Sequence, residues 1–153
     1  MQIKKATSND LQALQNLESQ FNQERDSWHN LQTQNFHKRQ NTRKLITLQD
    51  IDADIIFIAQ DSQANPVAFI SGSIHARPNH TLNTLGSIDS LYVLPEYRKN
   101  QLSAALFKRL EEEFKSRGCD HITLHTDTEN IPAQKFYEKQ NMHPVTLEYY
   151  KII

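Results

Sequence analysis

The sequence predicts an α/β fold, a mixed sheet of about six strands flanked by about four helices. Three observations carry that expectation. Short β-branched runs such as residues 55–60 alternate with stretches of helical spacing, such as Leu102, Leu106, Leu110 and Phe114. A strand–helix–strand order in the second half needs a crossover, which pairs its two strands in parallel. Leu, Ile, Val and Phe total 38 of 153 residues, above the roughly 20% below which a chain fails to build a core.

Each element has its own local reason. Ile3 opens a short strand. Thr7-Ser8-Asn9-Asp10 offers helix caps ahead of Leu11, Leu14, Leu17 and Phe21, a stripe at helical spacing. Residues 22–36 are polar, with Trp28, Leu31 and Phe36 scattered, and read as broken helix and loop. A second helix is expected over residues 37–48. Residues 55–60 and 67–76 read as strands joined by a turn at 61–66, a hairpin. A polar loop at 77–84 precedes a third long strand over 85–94. Residues 102–116 place their leucine stripe and Ala105 on one side, with Lys108, Arg109, Glu111, Glu112 and Lys115 on the other. Gly118 then suits a helix-ending position where φ is positive. Ile122, Leu124 and Thr126 alternate with polar neighbours through residue 127, the period of a strand. A short helix over 130–140 turns Ala133, Phe136 and Tyr137 inward, and residues 145–150 close with a strand. No repeat or linker interrupts the chain, so one domain is expected over residues 1–153.

Charge excludes more than it assigns. With 17 basic and 18 acidic residues the net charge is −1, so no global basic field exists to hold nucleic acid. The cluster His37-Lys38-Arg39 with Arg43 and Lys44 reads as a solvated helix face. The single cysteine, Cys119, excludes an intrachain disulfide and a multi-cysteine zinc site, and reads as a small core residue opening a strand. His75, His80, His121 and His125 offer no helical HxxxH pair, so no metal is expected. The start of the chain has no apolar signal core and no stretch approaches 18 apolar residues. No membrane association and a cytoplasmic location are therefore expected. Glycine is scarce, three residues where average usage of roughly 7% gives about eleven, while Asn and Gln number 12 and 14.

Chemistry is most legible over residues 88–104. A strand ends at Pro95, the basic pair Arg98-Lys99 follows, and a helix starts near Leu102. A helix N-terminus presents unpaired N–H groups and the positive end of its dipole, which together bind phosphate. An ordinary strand-to-helix turn with solvated basic residues fits the same string.

The string Tyr92-Val93-Leu94-Pro95-Glu96-Tyr97-Arg98, the helix after it, then Asn130, Ala133 and Phe136-Tyr137-Glu138-Lys139 resemble the GNAT-type N-acetyltransferases. The match is close over residues 85–143 and loose before them. The resemblance implies two neighbouring parallel strands, here 86–94 and 121–127, that splay apart around acetyl-CoA. Its phosphate loop, Arg/Gln-x-x-Gly-x-Gly/Ala, falls on Arg98, Lys99, Asn100, Gln101, Leu102 and Ser103, with Ala104 next. Both glycines are replaced, by Gln101 and Ser103. A side chain at Gln101 obstructs close backbone approach or resists an unusual φ, yet both substitutions keep the N–H groups. The family's Gly-Phe after the last helix is Asn141-Met142 here, and Asn accepts a left-handed turn.

The resemblance also implies roles. Backbone N–H groups of Leu91 and Val93 would face the thioester oxygen. Tyr137 occupies the position of the acid that protonates the thiolate, and Asn130, Ala133 and Phe136 line the cofactor beside it. Asp89 stands where several members carry the general base, with His75 and His125 as alternatives. The implied partners are acetyl-CoA and an amine acceptor, and a homodimer is compatible with them. Glu24, Asp26 and Trp28, in segment 22–36, could receive a cationic amine, as could loop 77–84. A non-catalytic CoA sensor or protein-interaction module on the same fold stays open.

Overall fold

Apolar β-branched runs and the amphipathic helices packed on its two faces decide the sheet. The computed structural model describes residues 1–27, 45–149 and 151. Its strands are β1 (Gln2–Lys5), β2 (Ile55–Gln60), β3 (Pro66–Ala76), β4 (Thr84–Val93) and β5 (His121–Leu124). Its helices are α1 (Leu11–Asp26), α2 (Leu48–Ala53), α3 (Leu102–Ser116) and α4 (Ile131–Lys139). The chain divides into two units, Met1–Asn22 with Leu45–His125, and Gln23–Lys44 with Thr126–Ile153.

The first unit holds the sheet, in the order β1-β2-β3-β4-β5. The first three pairings are antiparallel, and β4 pairs β5 in parallel as the crossover through α3 requires. Each face of the sheet has its own core. On one side Ile56, Ile58, Phe69 and Tyr92 join Leu14 and Leu17 of α1 and Ile51 of α2. On the other side α3 buries Leu102, Leu106, Phe107, Leu110 and Phe114. Full burial of each such side chain contributes about 1.5–3 kcal/mol before ordering costs. Phe114 lies so close to β3 and β4 that a Cβ on Gly72 or Gly86 would meet its ring at 2.6 or 2.7 Å. Two of the three glycines are therefore spent on helix–sheet approach. The third, Gly118, has φ +80° and ends α3, as its sequence position predicts.

Helix starts follow capping chemistry. Asp10 accepts hydrogen bonds from the N–H and hydroxyl of Thr7 at 2.9 and 3.0 Å and from the Lys4 ammonium at 2.8 Å. Burial alone would raise the Asp10 carboxyl, but the Lys4 and Thr7 donors outweigh it and hold it below its ordinary value.

Four expectations change. Helix α1 continues past Phe21 to Asp26, where broken helix was expected from residue 22. Of the second helix expected over residues 37–48, residues 45–47 are not helical, and a helix that was not expected, α2, opens at Leu48. Thr47 caps it, with its N–H and hydroxyl donating to Asp50 at 2.6 Å each, and this capping pair sets the helix start. Residues 37–44, with the basic cluster, lie outside the described residues, as do Trp28, Leu31 and Phe36. Strand β5 stops at Leu124, short of residue 127. Residues 145–149 form no strand, and Val145, Leu147 and Tyr149 are exposed, because alternation alone makes no ladder without a neighbouring strand. The described sheet thus has five strands, and Tyr150 lies outside the described residues.

Candidate active site

Strand β4 changes character halfway along. Its ladder to β5 runs from Leu85–His121 to Ile88–Leu124. On the other side Ile88 pairs Gly72 and Ser90 pairs Ser71, so Asp89 is an extra residue, a β-bulge. Asp89, Ser90, Leu91, Tyr92 and Val93 therefore lie beyond the last β4–β5 pair. The parallel pairing expected of these two strands is thus formed over Leu85–Ile88 and His121–Leu124.

A hydrogen-bonded polar patch surrounds the bulge. The Ser73 hydroxyl on β3 donates to Asp89 Oδ2 at 2.9 Å, and the Ser87 hydroxyl donates to Asp89 Oδ1 at 3.2 Å. His75 Nε2 lies 3.0 Å from Ser73 Oγ. Asp54, at the end of α2, completes the patch. Its carboxyl is pushed up by burial first, then by the negative charges of Asp89 and Asp50, with His75 opposing. His125 is exposed just past the end of β5, while His75 is joined to Asp89 through Ser73.

The loop after β4 prepares a helix N-terminus. Pro95–Tyr97 forms a 3-10 turn, and Lys99 and Gln101 then adopt φ of 66° and 59°. These left-handed conformations are what glycine accepts freely, so Gln101 takes the backbone shape without the residue that suits it. Strain of this kind costs on the order of 1 kcal/mol per residue. The Gln101 side chain does not cap the helix, whose first internal bond is Ala105 N–H to Gln101 C=O at 3.0 Å. The N–H groups of Leu102, Ser103 and Ala104 therefore precede the first intrahelical bond. The Arg98 side chain turns back on β4. Its Nε donates to Val93 C=O at 2.9 Å and its guanidinium stands 5.6 Å from the Tyr92 ring centroid. Arg98 thus ties the loop to the strand, and Lys99 and Asn100 are exposed. A cavity of about 450 Å³ opens beside this start of α3, with Asn100, Gln101, Ala104 and Lys108 in its wall.

The second unit carries the remaining predicted residues on α4. Asn130 caps the helix through Oδ1, accepting from Ala133 N–H at 3.2 Å. Phe136 and Tyr137 stack edge to face, with ring centroids 5.2 Å apart. Burial pushes the Tyr137 phenol up to about 12, so it keeps its proton throughout the neutral range. Asn141, past the helix, takes the left-handed φ of 61° that its sequence position predicts.

Ser73 and Ser87 escape the sequence reading. The available signal is polar residues at alternating positions, Ser71, Ser73 and His75, inside an otherwise apolar strand. Of the acceptor segment 22–36, residues 28–36 lie outside the described residues.

The sequence profile of the acetyltransferase (GNAT) family matches residues 25–142. No curated protein matches the chain by sequence. Solved structures do share its fold. A mutant protein from Bacillus halodurans is 16% identical with a TM-score of 0.80, all of both chains being covered. An aminoglycoside N-acetyltransferase in complex with CoA is 17% identical, covers 99% of each chain and has a TM-score of 0.72. A ribosomal-protein-alanine N-acetyltransferase from Brucella melitensis biovar Abortus 2308 is 20% identical, with a TM-score of 0.70, covering 100% of this chain and 99% of its own.

Proposed function

Because the chain belongs to the acetyltransferase (GNAT) family, we propose that it is a working N-acetyltransferase. It takes an acetyl group from acetyl-CoA to a primary amine of a small molecule or peptide. One observation carries this reading: the β4–α3 loop keeps its left-handed turns at Lys99 and Gln101 and leads into an uncapped helix start. That arrangement fits a pyrophosphate, because the donors are main-chain and survive the loss of both loop glycines. When bound, acetyl-CoA supplies the activated acetyl thioester.

The residues divide the work. We assign the segment Arg98–Ala104 to the phosphates, with Arg98 bracing the loop and Lys99 lending charge. Leu91, Tyr92 and Val93, past the end of the β4–β5 ladder, are assigned to the pantetheine arm and the acetyl carbonyl. Asn130, Ala133 and Phe136 are assigned to the cofactor by the family's pattern. Asp89 takes the proton of the acceptor ammonium at Oδ1 or Oδ2, each of which already accepts a serine hydroxyl. Tyr137 holds its Oη proton at neutral pH and donates it toward the sulfur. A phenol near 12 is a weaker acid than a thiol near 8.5, so this donation acts as a hydrogen bond to developing charge. The reading places the protein in the cytoplasm, with its cosubstrate. The aminoglycoside and ribosomal-protein-alanine acetyltransferases that share the fold suggest where to begin with acceptors.

The test is CoA release from acetyl-CoA in the presence of kanamycin, an alanine-initiated peptide, an internal-lysine peptide and spermidine. Amine-dependent release with at least one, slowed about a hundredfold in Tyr137→Phe, is the expected result. Unchanged release in Tyr137→Phe removes Tyr137 as donor. A second reading, a non-catalytic CoA sensor or interaction module, draws on Gln101, whose side chain stands at the loop's left-handed position. Acetyl-CoA binding without turnover of any amine would favour that reading.

A further inference from the structure

The polar patch on β3 and β4 turns on a single hydroxyl proton, that of Ser73. Ser73 has one hydroxyl proton and two neighbours within hydrogen-bond distance, Asp89 Oδ2 at 2.9 Å and His75 Nε2 at 3.0 Å. That proton serves Asp89 only if the second contact is made by an N–H on His75 Nε2 donating to Ser73 Oγ. With the proton on Nδ1 instead, Nε2 becomes an acceptor and competes with Asp89 for the same hydroxyl. The tautomer of His75 therefore sets which way Ser73 points.

We propose that His75 and Ser73 are positioning residues for Asp89, a chain from β3 that holds the bulge carboxylate in place for the incoming ammonium. The inference rests on the assignment of Asp89 as the base. With Ser87 on Oδ1 and Ser73 on Oδ2, the carboxylate is fixed at both oxygens. It then meets the amine without first giving up rotational freedom. The proton moves from the ammonium nitrogen to Asp89, the lone pair it leaves behind attacks the acetyl carbon, the carbon–sulfur bond breaks, and the CoA thiolate leaves and takes up the second proton that the new amide nitrogen loses. His75 and Ser73 exchange no proton with the acceptor; they fix the geometry. Asp54 faces the same patch and its charge bears on both Asp89 and His75.

Two measurements test the proposal. The first needs no acceptor: ¹⁵N shifts of the neutral His75 imidazole report its tautomer. The Nε2–H form is expected in the wild type; an Nδ1–H wild type overturns the proposal. The second is steady-state kinetics with whichever amine of the panel turns over fastest. Ser73→Ala and His75→Ala should each lower kcat about threefold to tenfold, the effect of one hydrogen bond, with KM for acetyl-CoA unchanged. The double variant should be no slower than either single one. Ser73→Thr keeps a hydroxyl and His75→Gln keeps an N–H near the Nε2 position, and both should recover rate. Multiplying effects in the double variant, or a raised KM for acetyl-CoA with kcat unchanged, would overturn it. If Asp89→Asn leaves kcat intact, the base assignment falls and takes this inference with it. If Asp89→Asn is slow and Ser73→Ala is not, this inference alone falls.

Discussion

The two faces of β4 are built by opposite rules. On the α3 side Gly86 offers no side chain at all, because the Phe114 ring sits where its Cβ would be. On the other side Ser87 and the bulged Asp89 form hydrogen bonds, and Asp89 is exposed. One strand therefore carries a surface that tolerates no added atom at Gly86 and, on its other face, an open hydrogen-bonded stretch at Ser87 and Asp89 ahead of the buried Tyr92. The difference teaches that stability and chemistry are separable here, although the residues alternate along a single segment. Substitutions on one face should move melting temperature, and those on the other should move rate.

The largest expected effect comes from the packed face. Phe114→Ala leaves a cavity against β3 and β4 and should cost about 3–5 kcal/mol, measured by urea denaturation. The fraction that remains folded should keep its kcat, and a proportional loss would break the separation. Asp89→Asn should do the reverse: kcat falls about a hundredfold while the denaturation midpoint barely moves. Gly86→Ala should destabilise by about 1–3 kcal/mol through overpacking, and Phe114→Leu should relieve part of that cost in the double variant. The smallest effect lies away from β4 and sharpens the contrast. Asp10→Ala removes the acceptor of Thr7 and Lys4 and should cost about 1 kcal/mol. The Asp10 pKa is depressed in the folded state. Its contribution is therefore present above the ordinary aspartate value near 4 and lost as pH falls through the lower folded value. Stability curves of wild type and variant should converge in that acid window, with kcat at neutral pH the same for both.

How far the sequence could be read varies with the physics of each segment. The β4–α3 stretch was legible because its periods change sharply at Pro95 and again at Leu102, and α3 begins and ends where its stripe does. Helix α2 has only six residues and little apolar periodicity to announce it, and its readable signal is the capping pair Thr47 and Asp50. Residues 145–149 show that alternation describes a strand's faces and says nothing of its partner. At the site, Asp89 was placed by its position in a family pattern. The bulge that exposes it is a count of residues between two strands, and no single strand records that count. Its serine partners come from alternate positions on β3 and β4, a convergence only pairing register creates. The left-handed turn at Gln101 was equally hidden, since nothing about glutamine announces a positive φ.

That turn bears on the central claim, that a loop stripped of its glycines still seats acetyl-CoA. The most direct measurement is the melting temperature of the protein titrated with acetyl-CoA, alongside Gln101→Gly. A ligand at a hundred times its Kd stabilises by about 2.7 kcal/mol, a rise of roughly 5–10 °C at this chain length. That rise is expected in the wild type, with an equal or larger one in Gln101→Gly. No shift in the wild type at millimolar acetyl-CoA, with a shift restored by Gln101→Gly, would show the loop disabled by its side chain and contradict the account.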